Sequence, residues 1–125
     1  MNIDELTLGQ IKQLQSLLGG QEPAKDPARG MIGKTCMFRT YSAGVHFGEL
    51  AEKQGQSCLV KNAQRVFYWT EACSLSQLAM EGSKNFDGCK IAMPVDEMVL
   101  EQVIEIIPMS EETVKLFREA KVWKK

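Results

Sequence analysis

Apolar side chains recur at three- and four-residue intervals near the start of the chain, at Leu8, Ile11, Leu14, Leu17 and Leu18. That period predicts one amphipathic helix beginning near Asp4 or Thr7 and ended by Gly19 and Gly20. Residues 21–30 carry Pro23, Pro27 and Gly30 among alternating charges and read as an extended linker. A lone helix of this length is not stable by itself, so it must pack on the body of the chain or on a second copy. The linker reaches either, and a homo-oligomer is the expectation.

From Gly33 the period changes to two. Thr35, Met37 and Arg39 face one way and Cys36, Phe38 and Thr40 the other, as in a strand. A second strand is predicted over Val45 to Glu52, and the turn residues Gln54, Gly55 and Gln56 lead into Cys58 to Lys61. The aromatic-rich run Arg65 to Trp69 continues an antiparallel meander, with Arg65, Phe67 and Trp69 on one face and Val66 and Tyr68 on the other. Ser74 with Gln77 fits a helix-capping pair, and Gly82 would stop the short helix carrying Leu75, Leu78 and Ala79.

Strand-like runs resume at Cys89 to Met93 and Val103 to Ile107, with Val95 to Leu100 readable as strand or turn. After Pro108, Ser110 with Glu111 and Glu112 starts a last helix whose Val114, Phe117, Ala120 and Trp123 would face the core. The pattern adds up to an α+β protein. Its mostly antiparallel sheet of about five or six strands carries a short internal helix, a C-terminal helix and an N-terminal helix. In domain terms these are an N-terminal helix over 1–20, a linker over 21–30 and an α+β domain over 31–125.

Composition narrows the classes of function. The 125 residues, 44% apolar and 25% charged, suit one ordinary domain. No stretch approaches the roughly 20 apolar residues of a membrane helix, and the polar start is unlike a signal peptide, so a cytoplasmic protein without membrane contact is expected. A net charge of -1 disfavours coating nucleic acid by cationic charge alone. The charge is uneven, however. Residues 94–112 hold six acids and no base, whereas residues 115–125 hold five bases against Glu119, which matches the dipole of a helix between them.

Candidate chemistry is sparse. The four cysteines, Cys36, Cys58, Cys73 and Cys89, form no CxxC pair and read as buried free thiols. His46 is the only histidine, so no catalytic constellation, metal site or cofactor is expected. The informative segment is Arg39 to Gly48. Its small residues would let a ligand approach the backbone near Arg39, Tyr41, Ser42, Gly44 and His46, although Gly44 and Gly48 could equally serve hairpin geometry alone. Arg65 and Trp69 on the neighbouring strand would supply a cation and a stacking ring, or simply core packing.

Thr40 to Gly48 (TYSAGVHFG), Lys61 to Trp69 (KNAQRVFYW), Ser74 to Gly82 (SLSQLAMEG) and Val103 to Pro108 (VIEIIP) resemble an uncharacterised family of small phage and prophage proteins. The resemblance covers residues 31–113 and implies a phage-encoded accessory protein, acting in the cytoplasm of an infected bacterium. In size and origin it is similar to phage anti-defence sponges, which bind cyclic nucleotides or cyclic ADP-ribose derivatives without cleaving them. That likeness implies a nucleotide-type small-molecule ligand, and the residue reading offers Arg39, Tyr41, Ser42, Gly44, His46, Arg65 and Trp69 to hold it. Two rivals stay open: a protein-protein inhibitor of a host defence enzyme and a weak single-strand nucleic-acid binder.

Overall fold

A computed structural model describes residues 26–124. The expected N-terminal helix and the first half of the expected linker lie outside the described residues. The chain divides into two units, Met1–Gly30 and Met31–Lys125. At the end of the first, the Asp26 carboxylate accepts a hydrogen bond from the Ala28 amide at 2.9 Å, at the start of a 3-10 turn over Pro27–Met31. This part of the linker segment is turned rather than extended.

The second unit holds strands β1 (Thr35–Thr40), β2 (Val45–Gln54), β3 (Ser57–Tyr68), β4 (Lys90–Ile91), β5 (Val95–Leu100) and β6 (Val103–Pro108). Helix α1 (Leu75–Glu81) lies between β3 and β4, and α2 (Glu111–Glu119) follows β6. All strand pairs are antiparallel, in the order β4-β3-β2-β1-β6, with β5 also on β3. The long β3 therefore receives β5 along Cys58–Ala63 and β4 near Val66 and Tyr68. β5 lies at one end of the sheet and β6 at the other, yet only Glu101 and Gln102 separate them in sequence. The sheet must curl to bring its ends together.

Curling buries both faces. Cys36, Met37 and Phe38 are consecutive and all fully buried, because odd and even positions of β1 enter different clusters. Met37 joins Phe47, Leu78, Ala79 and Phe117 beneath the helices, and Cys36 and Phe38 join Leu50, Val60, Leu100 and Val103 on the other side. Burial of side chains this large stabilises the fold by about 1.5–3 kcal/mol each. The Phe117 ring lies 4.9 Å from both Phe47 and Phe86.

Both helices begin as their sequences predict. Ser74 caps α1 by accepting from the Gln77 amide, although the Gln77 side chain accepts from the Cys73 amide rather than returning to Ser74. Ser110 caps α2 by accepting from the Thr113 amide, and the Ser110 and Thr113 hydroxyls each reach the Met80 carbonyl at 2.8 Å, tying α2 to the end of α1. Near the end of α2, the Arg118 guanidinium lies over the Phe47 ring at 4.8 Å and donates to Gln64 Oε1 at 2.6 Å.

Gly48 marks the tightest point of the sheet. Opposite it β3 is bulged, with Asn62 at φ 51°. A Cβ at Gly48 would lie 2.5 Å from Val60 Cγ1 and 2.9 Å from the Lys61 carbonyl oxygen, so only glycine fits.

The structure departs from the sequence pattern at several places. The expected strand Cys89 to Met93 is only Lys90–Ile91, and Val95–Leu100 is a strand. Cys73 is exposed, while Cys36, Cys58 and Cys89 are buried. Helix α2 ends before Trp123. Instead of facing the core from that helix, Trp123 follows Val122, which bridges Ile91 in parallel, and the Trp123 amide donates to the Ile91 carbonyl at 2.8 Å. Pairing of the tail with β4 thus replaces the last helical turn. Among the described residues no helix is long and apolar enough to cross a membrane.

Candidate ligand-binding site

The loop from Tyr41 to Gly44 joins β1 to β2, and its chemistry is turned inward. The Thr40 amide and hydroxyl both donate to the Gly44 carbonyl, at 3.1 and 2.9 Å, and the Thr40 hydroxyl accepts from the Ala43 amide at 2.8 Å. The Tyr41 amide donates to the Gln102 carbonyl at 3.0 Å, and the Ser42 hydroxyl lies 3.5 Å from Gln102 Oε1. Gly44 adopts φ +86°, which closes the hairpin. The amides of Thr40, Tyr41 and Ala43 are thereby committed within the protein rather than left to cradle an anion. Tyr41 remains 77% exposed.

Strand register then separates the remaining candidates. Direct antiparallel partners point to the same face, and Phe38, His46 and Arg65 lie side by side across β1, β2 and β3. Arg39 pairs with Val45, which pairs with Val66, so Arg39 is on the opposite face. Its guanidinium is 3.9 Å from Glu105. Arg39 and Arg65 therefore cannot grip the same phosphate. Trp69 falls just past the end of β3 and packs half-buried against the helix-covered cluster, which corrects its expected place beside Arg65 and Phe67.

His46 and Arg65 are brought together. The Arg65 Nε–H donates to His46 Nε2 at 3.0 Å, and the histidine is fully buried. Burial, reinforced by the adjacent Arg65 charge, lowers the His46 pKa to about 4. The imidazole is neutral at pH 7, and accepting at Nε2 leaves the ring proton on Nδ1. Burial also raises the Cys36 thiol to about 11. Neither group is set up as a base or nucleophile near neutrality.

Beyond Arg65 the same face continues as two adjoining rings with a second cation at their far side. The Arg65 guanidinium lies 5.7 Å from the Phe67 ring centre, Phe67 meets Trp123 edge-to-face at 5.3 Å, and the Lys90 ammonium lies 5.3 Å from the Trp123 ring. Phe67 is 52% and Trp123 47% exposed. Sequence alternation placed Arg65 and Phe67 together. Lys90 and Trp123 had no local signal, because one arrives through pairing of β4 with β3 and the other through the parallel bridge of the tail.

Such a surface can stack a flat ring and pair with anionic groups on either side of it. Among the described residues, no three His, Cys, Asp or Glu side chains are grouped to hold a metal ion. A family model for a domain of unknown function, DUF6948, matches residues 33–117. The chain belongs to this family. The DUF6948 match takes in Arg65, Phe67 and Lys90, while Trp123 lies beyond it. No curated protein matches the chain.

Proposed function

We propose that this protein binds a nucleotide-type ligand without transforming it, on the surface formed by Arg65, Phe67, Trp123 and Lys90. The observation that carries the reading is a pair of touching, half-exposed rings flanked by a cation on each side at the end of β3. A base stacks on the rings and its phosphates meet the cations. Sequestration rather than turnover fits a buried, neutral His46 already engaged by Arg65 and a Cys36 thiol held in its protonated form. In a phage-encoded setting, the ligand would be a nucleotide-derived immune signal of the cyclic nucleotide or cyclic ADP-ribose type. The open strand end also suits a single-stranded oligonucleotide, because both rings are accessible from solvent.

Calorimetric titration with cyclic dinucleotides, cyclic trinucleotides, cyclic ADP-ribose isomers and a short oligonucleotide tests the proposal. One small nucleotide is expected to bind and to be recovered intact. Stacking contributes about 1–3 kcal/mol per base, so Phe67→Ala should weaken binding roughly tenfold or more with little change in melting temperature. Salt-dependent binding of the oligonucleotide alone would replace the proposal with single-strand binding. Failure to bind any probe, with a host defence still blocked, would leave the protein-inhibitor reading.

A further inference from the structure

His46 is an unusual occupant of its position. It is fully buried opposite Phe38, and its Nδ1, which carries the ring proton, has no hydrogen-bond partner. An unpaired buried donor is destabilising, and an apolar side chain would fill the same space without that cost. The histidine makes one polar contact, to the Arg65 Nε–H. Of the five donors of the Arg65 guanidinium, this bond uses the one nearest the chain. The four on the two terminal nitrogens have no partner among the described residues, although the group is flanked by the Phe67 ring.

We infer that His46 is a positioning residue: it fixes the Arg65 guanidinium by its Nε so that the two terminal nitrogens are left to take a phosphate group of a ligand whose base lies on Phe67 and Trp123. The inference rests on the nucleotide reading above and deepens it by assigning the phosphate to Arg65. A guanidinium held at Nε and against a ring has lost most of its rotamer freedom before the ligand arrives. Its planar outer edge matches two oxygens of one phosphate. Lys90, on the far side of the ring pair, is a point charge and suits a second anionic group.

The test uses the full chain with cyclic di-adenylate, adenosine and inorganic pyrophosphate as probes, and the variants His46→Leu and His46→Gln. His46→Leu removes the acceptor and the unpaired Nδ1 donor, so its melting temperature should equal or exceed that of the original protein. Its affinity for cyclic di-adenylate should fall about tenfold or more, the scale of a lost charge-assisted contact. Adenosine, which has no phosphate, should bind both proteins alike, and His46→Gln, whose amide oxygen can accept from Arg65, should restore most of the loss. Unchanged cyclic di-adenylate binding by His46→Leu, or an equal loss for adenosine, overturns the positioning role and leaves the nucleotide reading standing. Pyrophosphate binding that depends on His46, with no binding of either adenine compound, supports the positioning role and leaves the nucleotide reading to the wider titration above. No binding of any probe overturns the assignment of a phosphate to Arg65.

Discussion

The hairpin loop Tyr41–Gly44 and the far end of β3 begin from similar chemistry, each with an arginine close to an exposed aromatic ring. They differ in where their donors go. In the loop, the amides of Thr40 and Ala43 and the Thr40 hydroxyl close the turn, the Tyr41 amide is spent on the Gln102 carbonyl, and Arg39 faces Glu105. At the end of β3, one Arg65 donor is spent on His46, and the rings of Phe67 and Trp123 carry cations on both flanks. A glycine-containing loop draws attention in a sequence because glycine permits close approach. Here the approaching group is the loop's own backbone. Hydrogen-bond accounting distinguishes a binding surface from a well-made turn, and that accounting needs the partners as well as the residues.

The sharpest way to separate backbone roles from binding roles is to fill two glycines. Gly48→Ala drives a methyl into Val60 and the Lys61 carbonyl at the bulge, with no flexible side-chain end on the backbone side to yield. Overpacking of this kind costs about 1–3 kcal/mol, occasionally more, and Gly48 should sit at the top of that range. Gly44→Ala meets open space and incurs only the left-handed backbone cost, about 1–2 kcal/mol. Urea unfolding of the two variants measures both. Equal losses would mean that β3 relaxes around Gly48, and the rigid platform assumed for Arg65 would be in doubt.

A smaller effect comes from pH. In the unfolded chain His46 titrates near its ordinary 6.5, but in the fold it does so only near 4. Above about pH 6.5 both states hold a neutral ring and the histidine has no pH-dependent effect on stability. As pH falls from 6.5 toward 4, the unfolded state takes up a proton that the fold refuses, so stability declines; below 4 this loss is complete. Urea midpoints at pH 7 and pH 5 should therefore differ more for the original chain than for His46→Gln. Identical differences would show that the ring is not buried in its neutral form.

These contrasts also mark what was legible in the sequence. Two-residue alternation from Thr35 to Thr40 correctly sorted Met37 from Cys36 and Phe38, because strand geometry is local. Caps at Ser74 and Ser110 were legible for the same reason. The sheet itself fits the expected count of strands. Arg39 and Arg65, by contrast, look like neighbours until register is known, and a strand register is set by bulges and turns distant from either residue. Trp69 had the right chemistry for stacking but lies one residue past the end of β3, where the chain turns into the helix-covered cluster. Trp123 had the helical spacing of a core residue. Helix α2 stops at Glu119, and tail pairing with β4 carries the ring to the other face.

The smallest expected effects belong to the loop. Arg39 holds Glu105 at 3.9 Å across two side chains that are each about half exposed, and surface pairs of this kind contribute about 0–1 kcal/mol. Tyr41, at 77% exposure, has little packing to lose. Arg39→Ala and Tyr41→Ala should each shift stability by no more than about 0.5 kcal/mol, measured by thermal melting. Both should also leave the affinity for any nucleotide that binds the original chain within about twofold, because three of the loop's amides are engaged within the protein and Arg39 points away from Arg65. This null expectation is what gives the comparison its force. A Phe67→Ala variant that loses binding beside a Tyr41→Ala variant that retains it places the ligand on the β3 surface. If Tyr41→Ala lost binding while melting normally, the loop would have to open to receive the ligand, breaking the Thr40 and Ala43 bonds that close it. The two regions would then exchange roles, with β3 as scaffold and the hairpin as site.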